Sequence, residues 1–327
     1  MKALPRIKEI KEFIKAHESF TIISHVSPDG DTLGSAFALS LGLKKLGKKT
    51  QVVCQDEPSK NLLSVVPGIN ELKKPGEAEI YDAVIAVDCA DERRTGTAYE
   101  LIEKAKYTLK IDHHAVGTDY AQINSVDAEA AAVGEMIYLL LKELEVTLDE
   151  QIGTCIYTAI MTDTGNFSYS NTSEFTFRIA AQLKALGVDT YNVNRLIYRN
   201  VAITKMRFTS YVLSKVKLLA NGQFAYSTVT LDEMKKIGAE NESVEGIIDN
   251  IRDIDTVELA IFIYQKGEKQ FRISLRSKIW VNVSDIAANF GGGGHMRAAG
   301  CTVEFNTIEE AEKAVLRVVE KVFDGEF

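Results

Sequence analysis

Short, almost continuous apolar runs alternate with longer amphipathic segments in the first half of the chain. The runs are rich in Val and Ile and lie at residues 21–26, 51–55, 83–90 and 108–112. Such runs are typical of strands buried on both faces, as in a parallel sheet. The segments 32–47 and 132–144 have helical spacing. The alternation predicts an α/β domain, a parallel sheet with helices on both faces.

The sequence changes in character after Asn221-Gly222. Strand-like segments, some alternating polar with apolar residues, now mix with helical ones, which predicts a smaller C-terminal α+β domain. Residues 191–219 have a helical pattern without Gly or Pro. We therefore expect a first domain at 1–190, a helical connector at 191–219 and a second domain at 220–327.

Charge and composition restrict the class of ligand. The chain has 327 residues, a net charge of −8 and a pI of about 5.4. Proteins that bind long nucleic acids usually carry a basic surface, so we expect small nucleotides or short RNA instead. No apolar run approaches the ~20 residues of a membrane span, and the start lacks a signal-peptide pattern. The four cysteines are scattered, which favours a reducing compartment, the cytoplasm.

Polar residues follow the predicted strands where the apolar pattern does not require them. The motif H-x-x-P-D-G-D follows the first strand, and its Pro28 and Gly30 predict a loop. Because ligands bind at the carboxyl ends of strands in open α/β sheets, we expect these residues to converge there. Asp163 follows an apolar helical stretch and is predicted in a loop. The set comprises His25, Asp29, Asp31, Asp88, Asp112, His113, His114 and Asp163.

The convergence of several carboxylates requires cations. Two charges ~4 Å apart repel by roughly 4 kcal/mol at an effective dielectric near 20. Two divalent metals would balance four aspartates, with imidazoles completing the ligand shells. Oxygen and imidazole ligands suit Mn²⁺ first, with Co²⁺, Fe²⁺ or Mg²⁺ as alternatives. Two such ions can activate water and stabilise displacement at phosphorus. A single Asp or His of this kind is more often structural, so the prediction depends on the complete set.

The motifs HVSPDGD, VDCAD, IDHH and MTDTG resemble the four successive motifs of the DHH phosphoesterase superfamily. SLRSK, VNVSDIAANFGGGGH and AAGC resemble its DHH-associated C-terminal domain, so the resemblance covers nearly the whole chain. Members of this size include the NrnA-type oligoribonucleases (nanoRNases). The resemblance implies hydrolysis of short oligoribonucleotides to mononucleotides and dephosphorylation of 3′-phosphoadenosine 5′-phosphate. It also makes a homodimer plausible.

The resemblance also implies a role for each motif residue. The first metal would be bound by His25, Asp29 and Asp88, and the second by Asp31, Asp88, His113 and Asp163. Asp88 would bridge the two ions and so be essential for catalysis. His114 would face the substrate phosphate and stabilise charge or supply a proton. Asp112 would orient the neighbouring histidines without binding metal.

A basic row and a glycine-rich loop form a second candidate site. In FRISLRSK, apolar residues alternate with Arg272, Ser274, Arg276 and Lys278, which puts three positive charges on one face of a strand. Alone, this pattern fits a solvated strand face. Four glycines then precede His295, and their N–H groups can form an anion-binding nest. The resemblance implies that the nucleotide end of the substrate binds here. The expected residues are Arg276 and His295, then Ser274, Gly293 and Gly294, and last Arg272 and Arg297.

Several alternatives remain open from the sequence. A pyrophosphatase of the same superfamily carries a different second domain, and RecJ-like exonucleases are longer. The closest alternative is a phosphodiesterase for cyclic di-AMP or the linear dinucleotide pApA. A non-catalytic nucleotide sensor is a remote alternative, because a binder has no need of a complete dimetal ligand set. The aromatic residues Phe167 and Tyr169 either stack on a base or pack in the protein.

Overall fold

The chain divides into two compact units, Met1–Asn200 and Val201–Phe327. The structure is a computed structural model that describes residues 4–239, 241–244 and 246–323. The division falls within the segment predicted as a helical connector. The helix Thr190–Tyr198 belongs to the first unit, and the helix Ile203–Ser214 belongs to the second.

A parallel sheet forms the centre of the first unit. Its strands are β1 (Ser19–Ile23), β2 (Lys49–Val53), β3 (Ala83–Val87), β4 (Tyr107–Asp112) and β5 (Ile123–Val126), in the order β2-β1-β3-β4-β5. Strands β1, β3 and β4 are interior and almost wholly buried, which explains their continuous apolar runs. The sequence did not predict β5, a four-residue edge strand with only one buried side chain.

Helices cover both faces of this sheet, which confirms the prediction for the first domain. They are α1 (Ile7–Ala16), α2 (Gly30–Lys45), α3 (Lys60–Leu63), α4 (Tyr99–Lys104), α5 (Val133–Glu143), α6 (Glu150–Asp163), α7 (Glu174–Ala185) and α8 (Thr190–Tyr198). Short 3-10 turns lie at Ile69–Glu71, Pro75–Glu77 and Glu92–Ala98. Helices α1, α2, α5 and α6 pack in the larger core on one face, and α4 packs in a smaller core on the other.

Helix α2 lies in the core and runs against α6. It is buried on all sides, with 13 of its 16 residues enclosed. A Cβ at Gly34 would lie 2.5 Å from the carbonyl oxygen of Cys155, and one at Gly30 would lie 2.5 Å from the side chain of Thr162. These close approaches need glycine. The start of α2 therefore meets the end of α6, which brings Asp31 and Asp163 to the same end of the helix pair.

A mixed sheet forms the centre of the second unit, as predicted for an α+β domain. Its strands are β6 (Lys217–Leu219), β7 (Phe224–Val229), β8 (Leu259–Gln265), β9 (Gln270–Ser277), β10 (Gly293–His295) and β11 (Ala298–Glu304). The order is β10-β11-β9-β8-β7-β6, and only the pair β7–β8 is parallel among these described strands. Part of the predicted glycine-rich loop is therefore an edge strand, because Gly293–His295 pair with β11.

Helices again lie on both faces of the second sheet. They are α9 (Ile203–Ser214), α10 (Leu231–Ile237), α11 (Ile247–Arg252), α12 (Val283–Ala288) and α13 (Ile308–Val319). The 3-10 turns of this unit are Ala220–Gly222 and Asn241–Val244. Helices α12 and α13 share one core with the sheet, while α9, α10 and α11 share another. Across the described part of the chain, no helix combines the length and apolarity that a bilayer span requires.

Candidate metal centre

The first motif places three side chains at the junction of β1 and α2. The sequence predicted a loop through Gly30, but α2 already begins there, because Asp29 caps the helix. The Asp29 carboxylate accepts hydrogen bonds from the N–H groups of Asp31 and Thr32, at 3.0 and 3.1 Å. His25 is buried just after β1, and Asp31 is buried in the first turn of α2.

Asp88 follows β3 in a conformation that L-residues rarely adopt. Its φ is +60°, and its N–H donates to the carbonyl of Ile111 on β4 at 2.9 Å. Ser27, Asn166 and Phe167, in the loops after β1 and α6, also have positive φ angles of 52°, 59° and 64°. Such strain costs of order 1–3 kcal/mol per residue and concentrates at functional sites.

Backbone carbonyls orient two of the histidines. The Nδ1 atom of His25 lies 2.8 Å from the carbonyl oxygen of Val26, and the Nδ1 atom of His113 lies 3.0 Å from that of Ala130. A proton on each Nδ1 leaves the Nε2 lone pair free to bind metal. His114 differs, because its Nδ1 lies 2.8 Å from Oδ1 of Asp112.

The predicted metal ligands converge into two sets that meet at Asp88. In the first set, the Nε2 atom of His25 lies 3.4 Å from Asp29 Oδ2 and 3.4 Å from Asp88 Oδ2. In the second, Nε2 of His113 lies 3.8 Å from Asp31 Oδ2, 3.6 Å from Asp163 Oδ2 and 3.6 Å from Asp88 Oδ1. The two oxygens of Asp88 thus face different histidines.

Hydrogen bonds from two other elements fix Asp31. Its carboxylate accepts the hydroxyl of Ser35 at 2.9 Å and the N–H groups of Val133 and Gly134, at the start of α5, at 2.7 and 3.0 Å. Asp163 is the last residue of α6. The sequence had placed it in the following loop, but the helical hydrogen bonds continue past it, since the N–H of Thr164 donates to the carbonyl of Ile160 at 3.0 Å.

Without cations, the negative charges of these buried carboxylates are unfavourable, and the pKa values of the site show this. Burial raises the pKa of Asp31 well above its usual value, and the charges of Asp88 and Asp163 add to this effect. Burial also raises the pKa of Asp163, to about 6. Burial disfavours a charged His25, but the carboxylates of Asp29 and Asp88 beside its ring outweigh that effect and raise its pKa to about 10.

The side chains fit divalent cations. The Nε2 atom of His25 and Oδ1 of Asp88 are buried and have no hydrogen-bond partner. Buried polar atoms of this kind need a partner, and both point toward the neighbouring carboxylates or imidazoles of the site. The donor atoms of His25, Asp29 and Asp88 lie within 4.8 Å of one another, as do those of Asp31, His113 and Asp163. The arrangement has the oxygen and imidazole donors of a two-metal site.

Most of the predicted substrate-binding residues share one face of the second sheet. On β9, Arg272, Ser274 and Arg276 alternate with buried residues. The register aligns Arg276 with Ala298 and His295, and Ser274 with Gly300 and Gly293. Small residues of β11 therefore lie between the basic row and His295. A Cβ at Gly300 would lie 2.8 Å from the Arg272 guanidinium, so only glycine leaves this space open.

Three residues of the predicted second site differ from this arrangement. Lys278 lies beyond the end of β9, and its ammonium donates to the carbonyls of Ile254 and Asp255, so it does not extend the basic row. The Arg297 guanidinium donates to the carbonyl of Val281 at 2.8 Å. Gly294 lies between Gly293 and His295 on the strand and pairs with Ala299, so it belongs to the opposite face of the sheet. Arg276 itself donates to Asp249 at 3.3 Å.

Sequence reasoning missed the residues that hold the ligands in place. Asn171 donates to the carbonyls of both Ala131 and Asp163 at 3.1 Å, which links a proposed metal ligand to the segment whose Ala130 carbonyl orients His113. The Thr32 hydroxyl donates to the carbonyl of Val87, next to Asp88, at 3.1 Å. Neither residue type signals such a role without knowledge of the contacts.

The two loop aromatics have different environments. Phe167 packs against the larger core and stacks on Phe177 with a centroid separation of 5.7 Å. Tyr169 is 55% exposed, and its ring covers Gly165. Phe167 is therefore a packing residue, and Tyr169 is the one whose ring is accessible to a ligand.

The fold and the two-part acidic site define a phosphoesterase of the DHH type. Residues 19–160 match the DHH family, N-terminal domain, and residues 221–323 match the DHHA1 domain. The chain belongs to the DHH family.

Two curated relatives and a solved structure resemble nearly the whole chain. The bifunctional oligoribonuclease and PAP phosphatase NrnA of Thermus thermophilus is 32% identical, over 96% of this chain and 93% of that protein. A probable enzyme of the same description from Streptococcus mutans is 28% identical, over 90% and 92%. The crystal structure of an exopolyphosphatase-related protein from Bacteroides fragilis superposes with a TM-score of 0.92 at 26% identity, covering 99% of this chain and 98% of that one.

Proposed function

We propose that this chain is a dimetal phosphoesterase that hydrolyses short oligoribonucleotides to mononucleotides and removes a phosphate from 3′-phosphoadenosine 5′-phosphate. The observation that carries the proposal is the position of Asp88, whose two oxygens face His25 on one side and His113 on the other. The names of the Thermus and Streptococcus relatives support the choice of substrates.

The ligands divide between the two ions as the two sets of side chains do. His25, Asp29 and Asp88 would hold the first metal, and Asp31, Asp88, His113 and Asp163 the second. Bound ions of this kind activate water and neutralise charge on phosphoryl oxygens. We propose Mn²⁺ as the ion, because the donors are oxygen and imidazole without thiolate.

His114 is proposed as the residue that contacts the reacting phosphate. Its Nδ1 bonds to Asp112, which leaves Nε2 to donate a hydrogen bond or a proton. The hydrogen bond to Asp112 and the charges of Asp88 and Asp112 outweigh burial and raise the pKa of His114. A raised pKa favours the imidazolium, which can stabilise an anionic phosphoryl group.

The basic face of the second unit is proposed to bind the nucleotide part of the substrate. Arg276 and His295 lie in one row of this face, and Ser274 and Gly293 lie in the next. Arg272 lies further along the same strand. Gly294 would contribute a backbone N–H group to substrate binding. Arg297 lies in the neighbouring loop, where its guanidinium donates to the carbonyl of Val281. A guanidinium and N–H groups are suited to phosphate oxygens.

The cellular setting is part of the proposal. All four cysteines are buried free thiols, which fits a reducing compartment such as the cytoplasm. A homodimer is proposed from the family resemblance, and light scattering of the purified protein tests it. With an acidic net charge, no long nucleic-acid tract is expected as a partner.

The test is a substrate panel assayed with Mn²⁺ and again after chelation. The panel comprises 3′-phosphoadenosine 5′-phosphate, RNAs of two to ten nucleotides, pApA, cyclic di-AMP and pyrophosphate. Mononucleotides released fastest from the shortest RNAs, with phosphate from the bisphosphate, are the expected products. The matched inactive control is an Asp88→Asn variant, because asparagine also tolerates the positive φ angle at this position.

Each other outcome selects a different function. Hydrolysis of cyclic di-AMP, or of pApA alone with other dinucleotides and longer RNAs left intact, would assign the protein to the turnover of a specific dinucleotide and leave the metal assignment intact. Preference for pyrophosphate would contradict the role of the second unit in nucleotide binding. Metal binding without turnover of any substrate would favour a nucleotide sensor.

A further inference from the structure

Lys110 is a lysine enclosed within the first unit. Its side chain is only 2% exposed, and it lies on β4 between the core residues Leu109 and Ile111, whose side chains point to the other face. Lysine is almost never fully buried unless it is paired, since removing an ammonium from water costs several kcal/mol. An apolar residue would fill the same space without this cost. We therefore expect the ammonium of Lys110 to have partners that compensate for this cost.

Three groups surround the ammonium. Its Nζ donates to the carbonyl oxygen of Thr118 at 2.8 Å, lies 3.8 Å from Asp112 Oδ2 and lies 5.3 Å from the ring centre of Tyr120. Asp112 Oδ2 is buried and has no hydrogen-bond partner, whereas Oδ1 binds His114. Lys110 thus faces the carboxylate oxygen that His114 does not use.

This ion pair differs from the others in the acidic site. Among the described residues, the carboxylates of Asp29, Asp31, Asp88 and Asp163 form ion pairs within 4.0 Å with histidines. Of these five carboxylates, and among the described residues, Asp112 alone forms such a pair with a lysine or arginine, namely Lys110. Asp112 is also the carboxylate that contacts no proposed metal set. Its permanent counter-charge is therefore supplied by the protein.

We propose that Lys110 is a positioning residue for phosphoester hydrolysis, whose ammonium holds the Asp112 carboxylate in the orientation that fixes the His114 ring. This inference rests on the proposed function, in which His114 contacts the reacting phosphate. Without the ammonium, Oδ2 of Asp112 is a buried oxygen with no cation beside it, because His114 bonds only to Oδ1, and the carboxylate rotates toward other donors. His114 then loses its fixed position, while the metal ligands keep their own backbone anchors.

The first test compares two replacements of Lys110 on bis(p-nitrophenyl) phosphate with saturating Mn²⁺. Lys110→Met keeps the length of the side chain and removes the charge, and Lys110→Arg keeps the charge. We expect kcat to fall roughly 10–100-fold in Lys110→Met, as for residues that orient site groups, with KM changed by less than about twofold. Lys110→Arg should recover most of the loss. Thr108→Val, on the same strand face, is the control and should retain wild-type kcat.

A double-mutant cycle identifies the residue through which Lys110 acts. In a His114→Gln background, Lys110→Met should lower kcat by less than about twofold, because the group that it positions is already gone. An equal loss of kcat in both backgrounds would show that Lys110 does not act through His114, and would overturn the inference.

Unfolding in urea with a chelator separates positioning from folding. Lys110→Met should destabilise the metal-free protein, and Asp112→Asn combined with it should restore the midpoint, because both buried charges are then absent. That double variant should fold and remain slow. Independent effects of the two changes on the midpoint would contradict the ion pair. An inactive wild type would defeat the proposed function, whereas an active wild type with an equally active Lys110→Met would defeat only the role of Lys110.

Discussion

The carboxylate of Asp31, in the first turn of α2, accepts the N–H of Val133 at the start of α5 at a distance of 2.7 Å. The N-cap residue of α5 is Ala132, which has no side chain to cap the helix. Asp31 therefore caps α5 from another helix and is also a proposed metal ligand. The two roles predict different responses to two substitutions.

Asp31→Asn should keep most of the capping and lose the catalysis. The amide oxygen still accepts an N–H, but a neutral ligand binds a divalent ion poorly. Activity should therefore fall more than about 100-fold, as expected for the loss of a residue that binds the metal directly. Asp31→Ala should lose both, and its metal-free form should be about 1–2 kcal/mol less stable than Asp31→Asn. Urea unfolding in a chelator measures this difference. Equal stability of the two variants would contradict the capping role.

Metal ions should stabilise the wild-type fold more than they stabilise an Asp88→Asn variant. A ligand that binds only the folded state adds about 2.7 kcal/mol when its concentration is 100 times its Kd. Because Asp88 faces both sets of ligands, its replacement should abolish most of the increase in Tm that Mn²⁺ causes. Thermal unfolding with and without chelator gives the result. A full metal-dependent increase in the variant would exclude Asp88 as the shared ligand.

The sequence predicted more of the site than of the structure that supports it. The proposed metal ligands lie in short local motifs, and a parallel sheet brings the ends of its strands together, so their convergence could be inferred. The capping of α5 by Asp31 depends on residues 102 positions apart, and no local pattern encodes it. Strand β5 was missed because its short edge position requires little apolar sequence.

Local composition was also misleading where pairing decided the conformation. Four glycines predicted a loop, but Gly293–His295 form a strand because Gly300 and Ala298 of β11 provide partners. The alternation predicted that Lys278 extends the basic row, but β9 ends at Ser277 and the ammonium donates to carbonyls that follow α11. Both differences depend on tertiary contacts, which alternation along one strand does not show.

An acid-sensitive contribution to stability is expected from Glu233 in the second unit. Burial opposes the charge of this carboxylate, but bonds from Lys215, Tyr211 and the N–H of Thr230 outweigh that effect and lower its pKa to about 2. A lowered folded-state pKa stabilises the fold above the unfolded value near 4.5, and this stability is lost as the pH falls toward 2. Because the group is partly exposed, we expect about 1 kcal/mol after allowance for solvent screening.

The Glu233→Gln variant tests this expectation, because glutamine can keep the capping hydrogen bonds with Thr230. Its stability should fall less steeply than that of the wild type between pH 5 and pH 2, as measured by urea unfolding at each pH. Parallel curves for the two proteins would show that Glu233 does not contribute to the acid dependence.

Loss of Arg276 should weaken nucleotide binding and leave the chemistry of the metal centre unchanged. Arg276→Gln removes a cation whose hydrogen bonds to a phosphate are worth about 1.5–3 kcal/mol, which corresponds to a KM increase of roughly 10–100-fold on a dinucleotide. On bis(p-nitrophenyl) phosphate, which has no nucleotide part, kcat/KM should change by less than about twofold. Arg317→Gln is the matched control, since α13 covers the opposite face of the sheet. Equal losses on both substrates would instead assign Arg276 a general structural role, through its bond to Asp249 on α11.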